Sequence, residues 1–405
     1  MSSTFHNNRA LENSYCSRGC AQIFADTACG KAQREEAGLS FQCESAALLQ
    51  GVASVDRAIS NNDVEPLLSG ILVEVEGDRV RLVATDREIG VERTVPAQVT
   101  QPGRWVVDGK LFSGIVRKLP ADEVIWRMQG EGQAVVESGR ARFTLQTRSA
   151  EDFPELTPMP EEYWRISQSD LRSMIRQTVF ATAREESRPL LTGVLIEIEG
   201  DQIAFAATDA NRLALRKGRL LQGGQKSAAA VVPAKSLNEV LRLLSGDAES
   251  VVDFGIQGNE IIFSLPEMKF VSRLIEGQFP DYRRVFPAQL PVRFRIERNA
   301  FLDAVDRASL VTRNGTPFVR LSVSNNSLAV TASEAEVGQA HEEIPVEQDG
   351  EDLEMSYQAR FLMDVLRVIE QDYVEVHMGK DLLPAVIHGV DDDAYRYVVM
   401  PVRVG

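Results

Sequence analysis

The stretch GILVEVEGDRVRLVATD, Gly70–Asp86, occurs again further along this chain. Its second copy is GVLIEIEGDQIAFAATD, Gly193–Asp209, an ungapped match at an offset of 193 − 70 = 123. A fainter third copy, VRLSVSNNSLAVTASE, runs from Val319 to Glu334, offset from the second by 319 − 194 = 125. Apolar and polar residues alternate in each copy (Ile71, Val73, Val75; Leu195; Leu321, Val323), which is the period of a half-buried strand. Gly77-Asp78, Gly200-Asp201 and Asn325-Asn326 then supply residues that tolerate positive φ in a tight hairpin turn. One hairpin repeated at near-constant spacing means one domain repeated three times.

The sequence around the hairpins repeats as well. Apolar residues at helical spacing mark Glu44–Ile59, Asp108–Leu119, Ser169–Ala181, Pro233–Leu244, Asn299–Thr312 and Gln358–Glu370. Each unit therefore reads helix, hairpin, helix, further strands, an α+β class with internal pseudo-symmetry. Proline-bearing stretches, EDFPELTPMP at 151–160 and GQFPDYRRVFPAQLP at 277–291, read as linkers. The expected organisation is an extension at 1–38, then domains at 39–158, 159–288 and 289–405.

The chain has 405 residues, a formal net charge of −15 and no apolar run near the ~18 residues of a membrane span. Residues 1–38 are polar, lack a signal-peptide core and read as disordered or lying upstream of the true start. Cys16, Cys20 and Cys29 have no standard zinc spacing, so no metal and no cofactor is expected, on a reducing, cytoplasmic protein. P-loop, nucleophile-elbow, zinc-protease and Rossmann patterns are missing. His341, His377 and His388 have no companions at ligand spacing in the linear sequence. Asp86 and Asp209 each end an Ala-Thr-Asp at the same point of the repeat, where a structural role outweighs that of a general base.

The basic residues are ordered where the total charge is not. Arg57, Lys110, Arg117, Lys118, Arg172, Arg176, Lys235, Arg242, Arg298, Arg307, Arg360 and Arg367 fall on the six helices, away from the apolar stripes. Six partly basic helices in parallel positions point to a shared electropositive surface facing phosphate. If such helices, each about 10 Å wide, line a ring, six enclose a hole of only about 9 Å, whereas twelve leave about 28 Å. Two chains suffice to surround a duplex about 20 Å wide, and one chain does not.

Four strings, ESRPLLTG (Glu186–Gly193), ATDANRLAL (Ala207–Leu215), FPDYRRV (Phe279–Val285) and YVVMPVRV (Tyr397–Val404), together with the threefold repeat, resemble the bacterial β sliding clamps. The resemblance covers residues 39–405. It implies three tandem clamp domains, helices inside and antiparallel sheets outside, closing head to tail into a homodimeric ring on duplex DNA without sequence preference. It also implies no catalysis by this chain, the nucleotidyltransferase activity belonging to the polymerase holoenzyme. Implied partners are the replicative polymerase, the clamp loader, translesion polymerases and repair proteins, through short linear peptides.

Carried over by string, the peptide pocket is formed by Arg188, Leu191, Thr208, Arg212, Leu213, Pro280, Arg284, Val285, Val398, Val399, Met400, Pro401, Val402 and Arg403. Leu213, Val285, Val399 and Met400 are expected to seat aliphatic anchors, with arginines at the rim. The ring interface is expected to pair Phe143 and Leu145 with Leu310 and Val311 of a second chain. The chain departs from the family's pattern at Pro189-Leu190 and at the acidic loop 61–65, and Gly405 follows the usual end. Leu39 stands where the family's initiator Met falls, so translation is expected to begin there. The competing reading is a clamp-fold scaffold that takes peptides without loading onto DNA.

Overall fold

The computed structural model describes residues 39–60, 65–130, 132–185, 187–223, 227–247, 249–312, 317–334 and 336–403. The extension at 1–38 with its three cysteines, most of the acidic loop at 61–65, and Val404 and Gly405 lie outside the described residues. The described residues form two compact units, one within 39–86 and 92–154, the other within 87–91 and 155–403.

All three repeats are antiparallel hairpins: Gly70–Glu76 with Arg79–Thr85, Gly193–Glu199 with Gln202–Thr208, and Phe318–Ser324 with Ser327–Glu334. Gly77 and Gly200 have φ of 64° and 63°, and Asn325 and Asn326 have 50° and 58°, the last pair as a type I′ turn requires. Burial departs from the expected alternation in the first two copies, where residues 70–73 and 193–196 are buried without a break. In the second copy the reason is local. Leu195 is covered on its far side by Leu191, Phe279 and Tyr282, whereas the third copy alternates strictly. Gly193 is needed because a Cβ there would meet the Val232 carbonyl of the neighbouring strand at 2.8 Å.

Among the described residues six helices appear in the expected places, each shorter than its apolar stripe. They are α1 (Ser45–Val55), α2 (Gly109–Val116), α3 (Gln168–Thr178), α4 (Ala234–Leu243), α5 (Arg298–Ser309) and α6 (Ala359–Leu366). α1 pairs with α2, α3 with α4, and α5 with α6. Side-chain caps set three starts: Asp108 accepts from Leu111 N at 2.7 Å, Ser167 from Asp170 N at 3.1 Å, and Glu297 from Asn299 N at 2.9 Å. α1 and α3 run on into short 3-10 turns at 56–58 and 179–181, which is why their stripes read longer in sequence.

In the first unit the sheet follows the order 92–96, 79–85, 70–76, 103–108, 141–149, 133–138, 123–128, 39–44, 98–99. The second unit contains two copies of the helix–hairpin–helix order, and one nine-stranded sheet runs through both. At the junction Arg212–Arg219 pairs antiparallel with Tyr395–Val399, placing Arg212 opposite Val399 and Leu213 opposite Val398. That shared sheet makes the second and third repeats one compact body. The stretch 277–291 is no solvated linker: Phe279 and Tyr282 are buried in a cluster with Leu191, Leu195, Leu213 and Val398.

Candidate partner pocket and basic helix faces

The Asp209 turn organises the residues that the sequence marks as a pocket. Asp209 Oδ1 accepts from the backbone N–H groups of Asn211 (3.0 Å) and Arg212 (3.1 Å), an Asx-type turn that lets Ala210 adopt φ 76°. Arg87 sits at the same point of the first repeat with φ 70°. Thr208 Oγ1 donates to the Arg212 carbonyl at 2.6 Å, closing the turn. Asp209 is thus engaged in holding the turn and Arg212.

Arg212 corrects the sequence reading. It is only 5% exposed and is not a rim residue. Its Nε donates to Asp209 (3.0 Å), Nη1 to Asp364 on α6 (2.7 Å) and Nη2 to the Phe180 carbonyl (2.7 Å). The guanidinium lies 4.4 Å from the Phe361 ring centroid and 5.4 Å from that of Phe180. Burial, the largest influence, pulls its pKa down, but Tyr397, Asp364 and Asp209 together hold it above the usual value. Arg212 therefore bolts the second repeat to the third.

The apolar residues separate into a floor and a surface. Leu191, Leu213 and Val398 share one cluster with Phe279 and Tyr282, flanked by half-buried Ala183, Leu190 and Phe286. Leu213 and Val399 keep no appreciable surface because both sit in the sheet interior, so neither can itself seat an anchor in this conformation. Val285 and Met400 keep 39% and 38% of theirs. Arg188, Pro280, Arg284 and Arg403 are exposed, while Thr208, Pro401 and Val402 are half-buried. Arg284 pairs with Asp281 at 3.0 Å. The terminal segment is held by Met400 N donating to the Asn211 carbonyl and Val402 N to that of Ser356, both at 2.8 Å. A cleft of about 800 Å³ beside the cluster is lined in part by Val231, Ile275, Phe279, Pro280 and Arg284.

Sequence reasoning missed Phe279, Tyr282, Phe286 and Asp364. The first three lie in the 277–291 stretch, where a linker reading hid aromatic residues spaced for burial. Tyr282 donates its hydroxyl to Glu197 at 2.7 Å, and Arg283 reaches the same carboxylate at 2.8 Å.

The basic residues differ in how free their charges are. Arg57 falls in the turn after α1 rather than on it. Arg117 pairs with Asp56 (2.8 Å), Arg242 with Glu239 (2.5 Å), Arg360 with Asp364 (3.6 Å), and Arg307 with both oxygens of Glu342 (2.8 and 3.0 Å). Arg172 donates to the Leu244 carbonyl at 3.1 Å and Arg176 to that of Arg367 at 3.1 Å. Arg298 is half-buried and spans the carbonyls of Leu366 and Gln371 past the end of α6, a helix-terminus contact rather than an open phosphate contact. Lys110, Lys118, Lys235 and Arg367 are exposed, and none has an ion pair among the described residues.

The expected interface residues are also sorted by burial. Phe143 is half-buried and Leu145 only 3% exposed, because the strand Ala141–Ser149 turns Leu145 into its own domain. Leu310 is 65% exposed and Val311 half-buried, directly after α5. Residues 141–146 pair with Gln133–Ser138 on one side, while only 147–149 also pair with the strand 103–108 among the described residues. One strand edge therefore lies open beside Phe143.

Three family models match this chain in order: the N-terminal domain of the DNA polymerase III beta subunit at residues 39–157, the central domain at 165–281 and the C-terminal domain at 283–403. The chain belongs to the DNA polymerase III beta subunit family, the beta sliding clamps. The beta sliding clamp of Bacillus subtilis is 32% identical over 377 residues, covering 90% of this chain and 100% of the relative. That of Staphylococcus aureus strain COL is 30% identical over 358 residues, 86% of this chain and 94% of the relative. A crystal structure of the Bacillus subtilis clamp superposes with a TM-score of 0.87 at 31% identity, covering 91% of this chain and 100% of that one. A Pseudomonas aeruginosa clamp bound to griselimycin gives 0.86 at 32%, with the same coverage. The family is a non-catalytic processivity factor of DNA polymerase III, so this chain is a DNA sliding clamp of replication. No helix among the described residues is long and apolar enough to cross a membrane.

Proposed function

We propose that this chain closes head to tail with a second copy into a ring around duplex DNA and tethers the replicative polymerase by topology. The observation that carries the proposal is the three clamp domains in unbroken order over residues 39–403. Lys110, Lys118, Lys235 and Arg367, exposed on or at the ends of helices, are the leading phosphate-facing cations, supported by the paired arginines around them. The open edge at 141–146 with Phe143, set against Leu310 and Val311 of the second copy, is the proposed subunit contact. Polymerase, clamp loader, translesion polymerases and repair proteins dock by short peptides whose aliphatic anchors use Val285 and Met400. These anchors settle over the floor of Leu191, Leu213 and Val398, beside half-buried Leu190 and Phe286. The proteins act in the cytoplasm.

Primer extension on a long single-stranded circle, with polymerase and clamp loader held limiting, tests the proposal. Addition of this protein should convert short products into full-length ones within a single binding event. Product lengths that do not change on addition contradict the tethering role.

A further inference from the structure

A hairpin in the third repeat carries three metal-ligating side chains that neither the DNA faces nor the partner pocket uses. Strands Tyr373–Met378 and Ala385–Gly389 pair antiparallel, with Glu375 opposite His388 and His377 opposite Val386. The strand period sends Val374, Val376 and Met378 into the core and Glu375 and His377 to the other face, where His388 joins them. The linear sequence offered no companion for either histidine. Cross-strand register supplies one, eleven residues away.

The donor atoms converge. His377 Nε2 lies 3.3 Å from Glu375 Oε2 and 3.3 Å from His388 Nε2, and His388 Nε2 lies 3.9 Å from Glu375 Oε2. The two rings stack with centroids 5.2 Å apart. His388 Nδ1 is 2.9 Å from the Gly389 carbonyl. A carbonyl only accepts, so Nδ1 carries the proton and Nε2 presents its lone pair to the other two donors. An N–H bonded to a backbone carbonyl is the usual outer support of a metal-ligating imidazole.

We propose that Glu375, His377 and His388 form a zinc site, completed by solvent. Ligands at ~2.0–2.1 Å from a tetrahedral zinc ion stand about 3.4 Å from one another, so shifts of a few tenths of an ångström admit the ion. Two imidazoles and one carboxylate suit zinc better than magnesium or calcium, which take oxygen ligands. Arg293 and Arg295 on the neighbouring strand face the same side, but Asp349 (3.3 Å) and Glu347 (3.8 Å) offset their charge. On binding, His377 takes the tautomer with its proton on Nδ1 and turns the Nε2 lone pair to the metal. The ion then cross-links the hairpin that supports the last strand, since Val386 pairs with Val398.

The test uses the full chain, stripped with EDTA and titrated with ZnCl2 by calorimetry, with Co2+ absorption as a second readout. One zinc per chain should bind at this site, with the d–d band of a tetrahedral centre in the Co2+ form. His377→Ala and His388→Ala should each weaken it about tenfold or more, and Glu375→Gln should weaken it in the same direction. Because the chain has other cysteines and histidines, only binding that disappears in these variants supports the proposal. His388→Gln replaces the alanine variant if circular dichroism shows that the latter misfolds. Zinc uptake that is absent at micromolar metal, or unchanged in both histidine variants, overturns the site and leaves a hydrogen-bonded trio only.

Discussion

Removing the Arg212 guanidinium leaves half-buried Asp209 with only its backbone N–H donors and half-buried Asp364 with only the longer pair to Arg360, and strips the Phe180 carbonyl of its donor. Arg212→Ala should therefore cost about 2–3 kcal/mol in urea unfolding of the isolated chain, less than a fully uncompensated buried charge because both carboxylates keep other partners and some solvent. A loss below ~1 kcal/mol would show that the bolt is not structural. Gly193→Ala forces a methyl onto the Val232 carbonyl and should cost about 1–3 kcal/mol in the same experiment. Cys43 is buried, and that burial, with Glu123 nearby, pushes its thiol up to about 12. Iodoacetamide at pH 8 should leave Cys43 unmodified in the native protein and label it in urea, read by peptide mass mapping. Arg212 also shows where sequence misleads. Charge alone places an arginine at a rim, and only the fold reveals aromatic rings and two acids closing around it.

The strands and helices were legible because their periods are strong. The stripes placed all six helices and overran their ends, since a following 3-10 turn at 56–58 or 179–181 continues the apolar spacing. Register was less legible. The apolar phase of YVEVHM and AVIHG is plain, yet the convergence of Glu375, His377 and His388 depends on which residues the hairpin pairs. The linker at 277–291 misled for another reason: its prolines mask aromatics that the second repeat needs to cover Leu195. Among the basic helices, Lys118→Glu and Lys235→Glu should each weaken association with DNA while leaving the melting temperature unchanged. The slope of log K against log salt should flatten by about 0.9 for each phosphate that the variant no longer neutralises. An unchanged slope would take these lysines off the DNA. At the pocket, Met400→Asp should weaken binding of a polymerase-derived peptide about thirtyfold or more, the loss of an anchor worth ~2 kcal/mol. Fluorescence polarisation reads this directly, and parental affinity in the variant would remove Met400 from the site.

For the whole molecule, a net charge of −15 and a DNA-encircling role are compatible because a ring needs no strong affinity. The threefold repeat made the domain plan readable from Gly70–Asp86 and its copies alone. The proposed closure into a ring was not readable in that way: it calls for contacts between chains, for which Leu145, already buried in its own domain, is not available, while Phe143 is half-buried and Leu310 exposed. The most direct test of the central claim is retention on DNA. The protein is loaded by its clamp loader onto nicked circular duplex, the complex is isolated, and half is linearised. Protein that stays on circles and runs off linear ends is held by topology, as the account predicts. Loss from both at the same rate, or failure to load, would contradict it.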